Sequence, residues 1–264
     1  MTPNPRRGRI GKGKGSSRWE SAVGPALAGL ALAPLLLLVF FGAGCGRQPA
    51  AGPVPAAAAV GSSAPAPATP PAAAVPRVVF LGDSLTAGLG LSEAEAYPAL
   101  VRERLAERGI QVRVVNAGIS GDTSAGGLAR VDWLLTQKPD LLVVALGAND
   151  GLRGQPVAAV EANLREIVRR AQAAGARVLL AGMKMPPNYG PDYTRDFEAL
   201  YGRLARELDV AYLPFLLEGV AAVPDLNQPD GIHPTAEGQR RIARLVADAL
   251  LPLLADSVGG KPGS

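Results

Sequence analysis

The chain is poor in the residues that crosslink proteins or hold metals. It has one cysteine, Cys45, and one histidine, His233, in 264 residues. A single cysteine cannot close a disulfide within the chain, and one cysteine with one histidine cannot assemble a Cys/His zinc cluster. Carboxylates alone could hold Mg or Ca, but no acidic loop has EF-hand spacing, so no metal is expected. A G-x-S-x-G nucleophile elbow is also missing, which speaks against the α/β-hydrolase version of serine catalysis. Aromatic residues make up 5% of the chain, leaving little surface on which sugars could stack. Basic charge is scarce too once its position is considered. Residues 1–44 hold six of the 27 Lys and Arg but one of the 23 Asp and Glu, so residues 45–264 carry a net −1 against +4 for the whole. Non-specific nucleic-acid binding depends on clustered positive charge, and a near-neutral body argues against nucleic acid as a partner.

The residues that are present, 48% apolar and 19% charged, exclude wholesale disorder and fall into four stretches. The basic start runs into an apolar segment over residues 22–43, which has the n-region and h-region of an export signal. It ends at Gly42-Ala43-Gly44-Cys45. Small residues before a lone cysteine resemble a bacterial lipobox, with Gly42 standing where a bulky aliphatic residue is usual. The expectation is a leader over 1–44, a lipidated Cys45 and a membrane-anchored lipoprotein of the cell envelope. An uncleaved membrane anchor and an ordinary signal cut at the small residues are the alternatives. Residues 45–76 are dominated by Ala and Pro and have no aromatic side chain, which predicts a tether reaching on the order of 90 Å at about 3.1 Å per residue. A folded domain is expected over 77–254 and a disordered tail over 255–264.

The body alternates two kinds of segment. RVVFLGD (77–83), QVRVVNA (111–117), DLLVVAL (140–146), ARVLLAGM (176–183) and VAYLP (210–214) are short and mostly apolar, as strands covered on both faces should be. Between and after them, residues 97–109, 156–175, 192–209 and 234–254 read as amphipathic helices. The first two end at Gly109 and Gly175, where a left-handed cap residue is expected. This alternation implies an α/β sandwich with a mainly parallel sheet. Ligands of such sheets sit at the carboxyl ends of the strands, so the residues just after each strand carry the functional information.

After the first strand stands Gly82-Asp83-Ser84-Leu85, a hydroxyl where strand turns to helix. Taken alone it also reads as an ordinary N-cap. His233 lies in Asp230-Gly231-Ile232-His233 ahead of the last helix, a spacing at which a carboxylate could orient an imidazole aimed at Ser84. Alone, His233 also reads as a surface residue beside an N-cap. The segments after the second and third strands, 116–123 and 147–151, offer a glycine amide at Gly121 and a carboxamide at Asn149. Both are suitable donors to an oxyanion, and both are common turn residues.

Together, GDSL (82–85), NAGISGDTS (116–124), LGANDG (146–151) and DGIH (230–233) occur in order and resemble the four blocks of the GDSL or SGNH hydrolases. ISGDTS (119–124), LGANDGLRG (146–154) and PPNYG (186–190) are similar to the bacterial thioesterase, lysophospholipase and arylesterase branch. The resemblance implies a three-layer α/β/α sandwich on a flavodoxin-like five-stranded sheet. It makes Ser84 the nucleophile, His233 the base and Asp230 its orienting carboxylate. The Ser84 and Gly121 amides and the Asn149 side chain would form the oxyanion hole, and Asp83 would support the turn. It further implies hydrolysis of acyl esters or thioesters, lysophospholipids among them, by a monomer without a cofactor. Leu152, Met183, Met185, Pro187 and Tyr189 are candidates for an acyl groove, although Met183 and Met185 read equally as strand-end core. A carbohydrate O-deacetylase and a tethered, non-catalytic binding module are the competing functions.

Overall fold

A computed structural model describes residues 75–258; the leader, Cys45 and nearly all of the tether lie outside the described residues. Five strands, β1 (Arg77–Gly82), β2 (Arg113–Gly118), β3 (Leu141–Ala145), β4 (Arg177–Ala181) and β5 (Ala211–Leu213), pair in the order β2-β1-β3-β4-β5. Every pairing is parallel. The sheet is therefore wholly parallel, with the flavodoxin-like order. The inner strands β1, β3 and β4 are almost entirely buried, whereas the edge strands β2 and β5 are half-buried.

Helices α1 (Ser84–Ala87), α2 (Tyr97–Glu107), α3 (Ser124–Leu135), α4 (Ala148–Leu152), α5 (Val157–Ala173), α6 (Pro191–Glu207) and α7 (Ala236–Val258) complete the two outer layers. Helix α2 packs on α7, and α5 packs on both α3 and α6. The buried residues of α5, Val160, Leu164, Ile167, Val168 and Ala171, fall on one stripe of the 3.6-residue period. As expected, α2 and α5 stop beside Gly109 and Gly175, at φ 77° and 84°.

Helices α3, α4 and α7 depart from the sequence-based expectation, α4 because the segment after β3 winds into a short helix over Ala148–Leu152. Helix α3 was not marked by the pattern, because Gly126 and Gly127 interrupt its first turn. Both glycines have a packing reason: a Cβ on Gly127 would sit 2.2 Å from Leu146 Cδ1, and one on Gly126 would sit 1.8 Å from Asp122 Oδ1. Helix α7 continues to Val258, past the expected boundary at Leu254. Pro252 removes one backbone donor without ending the helix, and the glycine pair that follows comes only at 259–260.

Strand register positions the site. Gly82 pairs with Gly118 on one side and Ala145 on the other, so β1, β2 and β3 end level. The segments that follow them, starting at Asp83, Ile119 and Leu146, emerge side by side at one sheet edge.

Candidate active site

Ser84 opens α1. Asp83 caps that helix, its Oδ1 accepting from the Leu85 amide at 3.0 Å. His233 arrives from the loop before α7. Its Nε2 lies 2.9 Å from Ser84 Oγ and its Nδ1 lies 2.7 Å from Asp230 Oδ2. Asp230 Oδ1 accepts from the Ile232 and His233 amides, both at 2.9 Å. The His233 and Ile232 amides, followed by the imidazole bond, hold the Asp230 carboxyl down at about 2. An ionised Asp230 accepts from Nδ1–H and leaves Nε2 as the acceptor for the Ser84 hydroxyl.

The loop carrying His233 is anchored by residues whose importance the sequence did not announce. Gln228 Nε2 donates to the Leu89 carbonyl at 2.7 Å and to Pro234 O at 3.0 Å. Asn227 Nδ2 donates to Val220 O and Val223 O at 2.7 and 2.8 Å. From α7, buried Gln239 accepts from the Tyr97 amide at 2.9 Å and donates to Leu85 O at 3.2 Å. Glutamine and asparagine in loops and on helix surfaces are so common that only their hydrogen-bond partners reveal this function.

The segments after β1, β2 and β3 are joined to one another by hydrogen bonds, and Asp83 and Asn149, unlike Gly121, line the cavity beside Ser84 and His233. Gly121 sits at φ 81°, a conformation costly for any residue with a Cβ, in a turn closed by the Asp122 amide on Ile119 O at 3.1 Å. Asn149, in the first turn of α4, donates from Nδ2 to Asp122 O at 2.9 Å. Its other near partner is Asp83 Oδ2 at 3.4 Å. That contact is long for a hydrogen bond and is the weaker of the two that Asn149 Nδ2 makes. Asp83 is buried, and burial pushes its carboxyl up to about 6. Buried Asp150 braces α4 on α3 by accepting from the Ser124 amide and hydroxyl at 2.8 and 2.7 Å.

Beside Ser84 opens a cavity of about 550 Å³ with mostly apolar walls. Leu152, Met183, Met185 and Pro187 line it, as does Asn149. Met183 is both buried strand-end core and cavity wall, so its two readings are compatible. Tyr189 is a correction: it is not among the lining residues, because its hydroxyl turns to the Leu152 carbonyl at 3.0 Å. Tyr193 does the same to Gln155 O at 2.8 Å and Tyr201 to Leu146 O at 3.0 Å. In a ring series from Tyr189 through Tyr193 and Phe197 to Tyr201, the last three on α6 and only Tyr193 and Phe197 stacked, these tyrosines tether the segment that carries Asn149. The far wall, Phe215, Leu217, Ala221 and Ala222 after β5, was not foreseen. The apolar run at 215–217 is its only trace in the sequence.

The chain is 49% identical over 178 residues to the esterase TesA of Pseudomonas aeruginosa, covering 67% of this chain and 89% of that one. It is 45% identical over 178 residues to thioesterase 1/protease 1/lysophospholipase L1 of Escherichia coli K12, covering 67% and 84%. Among solved structures, the psychrotrophic esterase EstA of Pseudoalteromonas, in a form inhibited by monoethylphosphonate, superposes with a TM-score of 0.65 at 35% identity, covering 68% of this chain and 98% of that one. The sequence profile of the GDSL-like Lipase/Acylhydrolase family matches residues 80–241, and with all four blocks gathered at one sheet edge, the chain belongs to that family.

Proposed function

We propose that this enzyme hydrolyses carboxylic esters and thioesters of apolar acyl chains, lysophospholipids included, with Ser84 as nucleophile. The observation that carries the reading is the hydrogen-bonded series Asp230–His233–Ser84 opening onto an apolar cavity of about 550 Å³. Ser84 Oγ attacks the acyl carbon while its proton passes to His233 Nε2. The resulting oxyanion is met by the Ser84 and Gly121 amides and by the Asn149 carboxamide, which exchanges its long contact to Asp83 for the oxyanion. Collapse expels the alcohol or thiol, which takes the proton back from His233, and water then repeats the sequence to free the acid. Apart from the catalytic groups, the polar side chains in the wall are Asn227 and Lys184, which are engaged by the Val220 and Val223 carbonyls and by Glu198, and the apolar remainder suits a hydrocarbon better than a sugar.

A series of p-nitrophenyl esters from acetyl to palmitoyl, with a lysophospholipid and an acetylated oligosaccharide, tests the substrate class. The reading requires higher kcat/KM on medium or long chains than on acetyl. Preference for the acetylated sugar would make the protein a deacetylase, and no turnover of any ester would make it a binding module. We further propose export and anchoring through a lipidated Cys45, supported by the leader and the small residues before that cysteine. Mass spectrometry of the mature N-terminus decides it: a diacylglyceryl-modified Cys45 is expected, and an unmodified Cys45 or a retained Met1 would overturn the anchor while leaving the catalytic reading untouched.

A further inference from the structure

We propose that Arg130 is a positioning residue for the oxyanion site, holding the Gly121–Asp122 turn and, through the Asp122 carbonyl, the Asn149 carboxamide against the end of the strand that delivers Ser84. The inference rests on reading Gly121 and Asn149 as oxyanion donors. Arg130 lies on α3 and does not line the cavity. Its Nε donates to Asp122 Oδ2 at 2.8 Å, Nη2 lies 2.8 Å from the same oxygen in an ion pair, and Nη2 donates to the Gly82 carbonyl at 2.9 Å. Those partners flank the donors: Gly82 precedes Asp83-Ser84 and Asp122 follows Gly121. The same Gly82 carbonyl accepts from the Ile119 amide at 3.0 Å, so guanidinium and turn converge on one atom at the strand end.

Asp122 is the coupling element. One carboxylate oxygen takes the guanidinium, the other accepts from the Thr123 amide at 3.0 Å, and the backbone carbonyl takes Asn149 Nδ2 at 2.9 Å. Fixing the side chain of Asp122 thus fixes the direction of its carbonyl, and with it the carboxamide. Gly126 keeps the space that the carboxylate occupies. The ion pair is also sheltered, with side-chain exposures of 18% for Arg130 and 10% for Asp122, against 65% and 85% for the surface pair Arg195–Asp192. A sheltered pair holds its geometry at physiological salt, and removing one partner strands the other charge. Arginine suits the position because its planar fork presents Nε to the carboxylate and Nη2 to the carbonyl in a fixed geometry, which a single ammonium on a flexible stem does not pre-set.

A positioning role makes a prediction that a purely structural one does not. Misplacing an oxyanion donor by about 1 Å costs up to about 10²-fold in rate, and the loss should fall on kcat because the donor acts in the transition state. Arg130→Met in the full chain should lower kcat for a short ester by about 10- to 100-fold with KM within about twofold. In an Asn149→Ala background, where the donor it positions is gone, the same substitution should cost less than about threefold. Where thermal melting shows Arg130→Met unfolded, Arg130→Lys replaces it, with a smaller kcat loss that again vanishes beside Asn149→Ala. An equal loss in both backgrounds, a loss confined to KM, or an unchanged kcat would overturn the role of Arg130. An unchanged kcat in Asn149→Ala alone would instead refute the oxyanion reading beneath it.

Discussion

The two sides of the site are built on different terms. The side formed by the ends of β1, β2 and β3 is polar and fully tied: Asp83, Asp122, Asn149 and Asp150 each have a named hydrogen-bond partner. The side formed after β4 and β5 is apolar, walled by Met183, Met185, Phe215 and Leu217, and held by packing. Donors to a developing charge must be placed within a fraction of an ångström, which only directional bonds achieve. A hydrocarbon chain needs exclusion from water, which many shapes provide. The first side should therefore set the rate of the chemistry and the second the choice among acyl chains.

The largest test of that division is at the centre. Ser84→Ala and His233→Ala should each cut kcat by roughly 10⁴- to 10⁶-fold, and the double variant should lose little more, since the pair acts as one unit. Single-turnover rates on an activated ester measure this; losses that multiply would break the unit apart. Next in size, Asn149→Ala should cost about 10²- to 10³-fold in kcat with KM little changed. An effect seen in KM alone would move Asn149 to the substrate-holding side.

Filling the other side should leave the chemistry alone. Ala221→Phe narrows the cavity, so kcat/KM for a palmitoyl ester should fall by about 10-fold or more while that for an acetyl ester stays within about twofold. Equal losses on both esters would show that the two sides are not separable. The smallest effect concerns Asp83. Its buried carboxyl titrates at about 6 in the folded chain against an ordinary 3.8, so the folded state binds the extra proton between those values. The stability this contributes is fully present below about pH 3.8 and is lost as pH rises through about 6. Between pH 4 and 7 the Tm of Asp83→Asn should gain on that of the parent, and a pH-independent difference would show that Asp83 is ionised throughout.

The same division explains what the sequence revealed. The polar side uses residue types that the backbone and the chemistry demand, such as Gly121 at positive φ and Asn149 in the first turn of a helix, at fixed distances after strands. Those positions stand out without coordinates. The inner strands β1, β3 and β4 were legible from their apolar runs for a similar reason, since burial on both faces permits little else, and the half-buried edge strands β2 and β5 follow the same pattern less strictly. Helix α3 was not legible, because two glycines needed for close packing erase its helical signature. Arg130 and Gln228 were hidden because an arginine or glutamine acting across many residues of sequence resembles any other surface polar residue. The far wall of the cavity was hidden because Phe215 and Leu217 resemble any other core. Tyr189 was misplaced because an aromatic side chain in a loop fits both a groove and a brace, and only the direction of its hydroxyl distinguishes them.

The central claim is that Ser84 is the single nucleophile, activated by His233 and facing the polar side. Labelling the folded protein with a fluorophosphonate, followed by intact-mass and peptide mass spectrometry, tests it most directly. One adduct per chain is predicted, on the peptide containing Ser84, slowed strongly in His233→Ala and absent in Ser84→Ala. Labelling that survives Ser84→Ala, or that falls on another serine of the wild-type chain, would contradict it.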